Sequence, residues 1–159
     1  MRPIVELTLP GTELSVRLSR QCAALVLRRL GHSPGVVESA ETLVAELAAN
    51  AVRHTASGDP RGTFILEVSA EARDARVLVT VAVHDQGSED GCPVVRPVSD
   101  TSGGGRGLML VAALAHRWGF HQSGATHARV VWAELVSGVA GASGDGFVPE
   151  PAGVRAGVR

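Results

Sequence analysis

The 159-residue chain contains no lysine and no tyrosine, and Asn50 is its only asparagine. The missing lysine excludes a Walker P-loop, whose glycine turn ends on a Lys that reaches the terminal phosphates. Any phosphate site here must rest on arginine, backbone amides or a metal. Aromatics are limited to three Phe and two Trp, so Val, Leu and Ala must supply most of a core drawn from 45% hydrophobic residues. Cys22 and Cys92 are the only cysteines. Two thiols build no disulfide framework, and neither sits at a metal-ligand spacing, which points to a reducing compartment. No apolar run approaches the roughly 20 residues needed to span a bilayer. The opening Met-Arg-Pro-Ile-Val-Glu lacks the apolar centre of a signal peptide. A formal net charge of −1 argues against a nucleic-acid surface built on bulk positive charge. The expectation is one cytoplasmic domain of ordinary size, with no direct nucleic-acid partner and no membrane partner.

Against that background, the residues that are present alternate between helical and extended patterns. Residues 3–9 read as an edge strand before Pro10-Gly11. Val16, Cys22, Ala23, Val26, Leu27 and Leu30 make one side of a helix from Ser15 to about Leu30, closed by Gly31. Ser33-Pro34 offers an N-cap followed by Pro at the first helical position. A second helix then runs to about Thr55, with Val36, Val37, Ala40, Leu43, Val44 and Leu47 on its apolar side. Residues 64–70 and 76–84 read as a hairpin. Residues 86–104 carry four Gly and two Pro without periodicity, and a loop of that length inside a compact domain is usually functional. A helix at about 106–116 and strands at 117–122 and 128–136 complete a domain over residues 1–136. The Gly/Ala/Pro-rich remainder, residues 137–159, is expected to form a disordered tail.

Three strings stand out from this scaffold. Glu46-Leu-Ala-Ala-Asn50-Ala-Val-Arg53-His54 places Glu46, Asn50 and His54 at i, i+4 and i+8, on one helical face. Asn in a helix interior is a mediocre choice, because its amide competes for backbone groups. The β-branched run before His84-Asp85-Gln86-Gly87 ends a strand in Asp-x-Gly, and Ser102-Gly103-Gly104-Gly105-Arg106-Gly107-Leu108 opens directly into an apolar helix.

Helix Asn, strand-end Asp-x-Gly and a glycine loop before a helix, in this order, resemble the Bergerat nucleotide site of the histidine-kinase-like (GHKL) ATPase superfamily. The phrases ELAANAVRH, GRGLMLVAALAHRWGF and VVWAEL are most similar to the short anti-sigma-factor serine kinases of actinobacterial type. The resemblance covers about residues 3–135. It implies an α/β two-layer sandwich, a mixed and mostly antiparallel sheet with helices on one face, binding ATP and Mg²⁺. It also implies a serine/threonine protein kinase in transcription regulation, with a sigma factor and an anti-anti-sigma (STAS-like) protein as partners and a homodimer as a further option. An ATP-dependent binding module that never transfers phosphate stays open beside it. So does the ATPase half of a split histidine kinase, although about 30 residues before the nucleotide helix leave no room for a phospho-acceptor bundle.

The resemblance assigns roles that the chemistry of each residue can carry. Asn50 offers Mg²⁺, which prefers an octahedral oxygen shell, one neutral ligand. A solvated polar stripe is its alternative. Glu46 could orient or deprotonate the attacking hydroxyl, or merely pair on the surface with Asn50 or Arg53. Arg53 and His54 could approach phosphate, or serve as cations favoured at a helix C-terminus. The resemblance gives Asp85 the adenine amino group and lets Gly87 bring backbone close to the base; a turn-capping Asp is the plainer reading. Glu89 stands where a second glycine is usual. Gly103, Gly104, Gly105, Arg106, Gly107 and Leu108 would turn backbone N–H groups and a helix N-terminus towards phosphate, or form only a hinge. Where related kinases carry a Gly-Lys-Thr-Val-Trp-like strand, this chain reads Ala128-Arg129-Val130-Val131-Trp132. A valine thus stands where the hydroxyl is expected, and Thr126, slightly upstream, could substitute only if the strand register shifts.

Overall fold

Alternating burial along three strands sets the architecture. In the computed structural model, which describes residues 3–73, 76–88, 106–123 and 127–138, β1 spans Val5–Pro10, β2 Thr63–Arg73, β3 Arg76–Asp85, β4 Arg117–Gln122 and β5 Arg129–Gly138. They form one sheet in the order β1-β2-β3-β5-β4, and every described pairing is antiparallel. Successive side chains of a strand point to opposite faces. One face therefore collects Phe64, Leu66 and Val68 of β2, Val79, Val81 and Val83 of β3, and Val131, Ala133 and Leu135 of β5, all buried.

Helices cover that face alone. α1 spans Glu13–Arg29, α2 Pro34–His54 and α3 Arg106–Leu114. α2 lies at the centre because its apolar residues recur at helical spacing: Val37, Ala40, Leu43, Val44, Leu47, Ala48 and Ala51 are all essentially inaccessible. Each buried Val or Leu contributes about 1.5–3 kcal/mol relative to exposure, so this one stripe anchors the helix layer to the sheet. Alanine at 40, 48 and 51 keeps the helix axis close to the strands. α1 starts earlier than its apolar pattern suggests, since Thr12 caps it by accepting from Ser15 N at 3.2 Å. Ser33 is the N-cap of α2 and Pro34 its first residue, but the Ser33 side chain makes no capping bond. Leu14, Leu18 and Leu25 remain 65%, 46% and 56% exposed on the outward arc of α1.

The two-layer α/β sandwich expected from the sequence is the one observed. The last strand continues to Gly138, where it still pairs with Arg76. Residues 139–159, expected as a tail, lie outside the described residues. At this end of the sheet His32 Nδ1 lies 3.1 Å from Ser137 Oγ, tying the α1–α2 connection to β5. Desolvation lowers the His32 pKa, so the ring is neutral at pH 7. No described helix is long and apolar enough to cross a membrane.

Candidate functional site

The opposite end of α2 is where the polar residues gather. Two hydrogen bonds fix it to the end of β3. Ala56 N donates to Gly87 O at 2.7 Å, and Gln86 N donates to Ser57 Oγ at 2.9 Å. Both acceptors and donors belong to a 3₁₀ turn, Ala56–Gly58, and to the Asp85–Gly87 turn. Thr55 shapes the helix exit by donating to Ala51 O at 2.6 Å and accepting from Ser57 N at 3.1 Å. Ser57 is fully buried. The α2 C-terminus and the Asp-x-Gly turn are therefore held as one rigid corner.

Glu46 and Asn50 are half-buried on α2, and neither bonds another described residue. What they face is the first turn of α3. A Cβ built at Gly107 would collide with Glu46 Oε2 and lie 3.7 Å from Asn50 Oδ1. A side chain at 107 would meet the carboxylate of Glu46, the far end of a flexible side chain, so the start of α3 lies directly against the polar face of α2. The positive end of the α3 dipole then points into a corner that already holds a carboxylate and an amide oxygen. Gly107→Ala is expected to swing the flexible Glu46 carboxylate aside and to change the free energy of unfolding by no more than about 1 kcal/mol. Urea denaturation reads this directly, and a loss well above that would mean that the start of α3 is packed more tightly than its contact with the Glu46 carboxylate implies.

Asp85 ends β3, 6% exposed, and Arg129 begins β5, 5% exposed. Arg129 Nε donates to Asp85 Oδ1 at 3.2 Å, and Gly87 N donates to the same oxygen at 2.7 Å. Asp85 therefore caps its own turn, as the plainer sequence reading had it, and also carries a buried ion pair. Gly87 has φ +75°, and a Cβ there would run into the carbonyl of His127. The close approach that Gly87 permits among the described residues is to this backbone. Arg53 and His54 are exposed in the last turn of α2. Leu108 is buried. Arg106 heads α3, while Gly103, Gly104, Gly105 and Thr126 lie outside the described residues.

An oxygen-rich donor set at the Glu46–Asn50 face fits Mg²⁺, which takes oxygen ligands and keeps most of its shell as water and phosphate. A dedicated protein cage is not required, and among the described residues no group of three or more His, Cys, Asp or Glu is close enough to form one.

The chain that folds into this five-stranded antiparallel sheet, covered by helices on one face, matches a known family. The chain belongs to the histidine kinase-like ATPase domain family, whose pattern it matches over residues 9–132. Membership carries ATP binding with it. Among solved structures, it is similar to the RsbU and RsbW domains of Rv1364c from Mycobacterium tuberculosis, with TM-score 0.62 and 18% identity over 87% of this chain and 33% of that one. It is also similar to the SiaB–SiaC complex from Pseudomonas aeruginosa, with TM-score 0.58 and 15% identity over 85% of this chain and 91% of that one. The chain spans only about a third of the first of these. At these identities the likeness is one of fold. No curated protein matches the chain.

Two contributors were not singled out from the sequence. Ser57 carries no signal beyond its place in a turn. Arg129 had one, as a charge at the head of a largely apolar strand, but strand alternation left open whether residue 129 or 130 faces Asp85. The register settles it: Arg129 pairs with Asp85, and His84 with Val130, so Val130 points to the other face.

Proposed function

We propose that this domain binds Mg·ATP at the corner between α2 and α3 and acts as an anti-sigma-type serine/threonine kinase on a STAS-like partner. The observation that carries this reading is the seating of Gly107 on Glu46 and Asn50. It joins the start of a helix, which favours phosphate, to one side chain suited to a metal and another suited to a hydroxyl. Asn50 Oδ1 would hold Mg²⁺, which when bound neutralises charge on the terminal phosphates. Gly103–Gly107 would supply backbone donors, with Arg106 as the cation and Arg53 and His54 within one turn of Asn50.

Glu46 is the residue assigned to chemistry. It orients a serine hydroxyl of the partner and accepts its proton as the serine oxygen bonds to the γ-phosphorus. The bond from that phosphorus to the β–γ bridging oxygen breaks, leaving phosphoserine and ADP. Most of the rate in such a transfer comes from positioning and charge stabilisation, which a rigid corner favours. Sigma factor, STAS-like partner, homodimer and cytoplasmic location all rest on the resemblance and on the fold shared with the RsbW and SiaB structures.

Base selection follows from Asp85. An exocyclic amine meets an acceptor there, whereas the guanine carbonyl meets a mismatch worth about 1–3 kcal/mol. ATP is expected to bind at least about tenfold more tightly than GTP, measurable by competition; equal affinities would make Asp85 a turn residue only. The transfer itself is tested by incubating the protein with STAS-like partners and γ-labelled ATP. Label on a partner serine supports the kinase reading. If no partner is labelled but one binds more tightly with ATP, the domain is an ATP-dependent binding module.

A further inference from the structure

Helices cover one face of the sheet, and no described element covers the other. Strand alternation puts Ile65, Leu78, Ala82, Val130, Trp132 and Val136 on that bare face, each shielded in part by its neighbours within the sheet. The Trp132 indole lies across β4 where there is no side chain: a Cβ at Gly119 would come 2.8 Å from the ring. Strands of 6 to 11 residues, spaced about 4.8 Å apart, make a face roughly 24 Å wide and 20–35 Å long. That is the scale of the ~800 Å² that each partner brings to a standard interface. A sheet face of this kind packs on another sheet at about 10 Å.

The charges on the face select which sheet. One row of positions crosses all five strands: Glu6, Glu67, Ala82, Trp132 and Gly119, each paired with the next. The row starts with two carboxylates directly opposite each other, an arrangement that destabilises a sheet. Glu67 has His84 Nε2 at 3.2 Å, whereas the exposed Glu6 side chain pairs with no described residue. The row ends at Gly119, flanked on the same face by Arg117 and His121, both exposed. Arg117 keeps a loose 3.8 Å approach to Glu134 Oε2, with its side chain 66% exposed. An acidic edge and a basic edge thus complement each other, yet they lie on opposite sides of one sheet and cannot meet within one chain.

We infer that the bare face binds a second copy of this chain, sheet against sheet, about a two-fold axis running along β3. Such an axis exchanges the edges, so β1 of each copy lies over β4 of the other. Ala82 then meets Ala82, and Glu6 comes between Arg117 and His121 of the second copy. An axis across the strands would lay β1 on β1 and set Glu6 against Glu6, a like-charge contact that complementary interfaces avoid. A patch that matches itself in this way makes every contact twice. The inference gives the homodimer a surface and a register, and it rests on the fold, not on the nucleotide reading.

Sedimentation equilibrium of the full chain without nucleotide reads the dimerisation constant. Wild-type protein is expected to be a dimer at tens of micromolar. Glu6→Arg and Arg117→Glu each set like charges face to face, and each is expected to weaken dimerisation by about tenfold or more. Together they exchange the two signs, so the double variant is expected to return to within about threefold of wild type. Leu18→Glu, on the exposed arc of α1, is expected to leave the dimer intact. Should Arg117→Glu not fold, His121→Glu takes its place, alone and with Glu6→Arg, with the same expected loss and recovery. A monomeric wild type overturns the inference. So does a dimer indifferent to both single substitutions, a double variant as weak as the singles, or dissociation by Leu18→Glu alone. A monomer that binds Mg·ATP sinks this inference and leaves the nucleotide reading standing; a charge-dependent dimer that binds no nucleotide does the reverse.

Discussion

Replacing Asn50 with alanine is expected to abolish Mg²⁺-dependent ATP binding while leaving the domain folded. Asn50 is half-buried in the interior of α2, where alanine is the better helix former by up to about 0.7 kcal/mol. Stability is therefore expected to hold or rise slightly, so any loss of affinity cannot be charged to unfolding. Groups that merely support a metal ligand cost roughly 10–100-fold when removed, and the ligand itself should cost more. Asn50→Asp keeps the Oδ1 ligand but exchanges the amide nitrogen for a second oxygen and adds a negative charge beside a triphosphate, and is expected to fail as well. Calorimetric titration with Mg·ATP distinguishes the outcomes. Wild-type affinity in Asn50→Ala would remove Asn50 from the site and return it to a solvated helix face.

Glu46→Gln is expected to separate binding from chemistry. The two side chains have the same shape, so the seating of Gly107 against position 46 survives the change. Glutamine still donates and accepts hydrogen bonds but cannot take up the proton of a serine hydroxyl. General-base assistance is typically worth 10²–10⁴-fold, so transfer of labelled phosphate to a partner should fall by about that factor. Mg·ATP affinity should be nearly unchanged. Loss of both together would instead make Glu46 part of the metal or phosphate shell.

Much of the fold could be read from the sequence because the periodicities were strong. The α2 stripe from Val37 to Ala51 and the alternation of Phe64, Leu66 and Val68 are each enforced by burial, which leaves little freedom in the placing of helix and strand. The corner at the C-terminal end of α2 was legible for a different reason. Asn50 is the only Asn, and it falls where helix propensity alone would not put it. What the sequence could not carry was register. A shift of one residue reverses which of Arg129 and Val130 faces Asp85, and no local signal fixes that choice. Thr12 and Ser57 were hidden similarly: their importance lies in what they touch across the fold, and a Thr or Ser in a turn looks ordinary in one dimension. Within residues 86–104, the description ends after Ser88, so only the Asp85–Gly87 edge of that expected functional loop enters the site.

The most direct measurement is a crystal structure of the protein with Mg²⁺ and a non-hydrolysable ATP analogue. The account places the metal at roughly 2.0–2.1 Å from Asn50 Oδ1, the distance Mg²⁺ demands of an oxygen ligand. It places the triphosphate against the first turn of α3, with the C6 amine on Asp85. A metal bound without Asn50, or a triphosphate lying away from the α2–α3 seam, would contradict it.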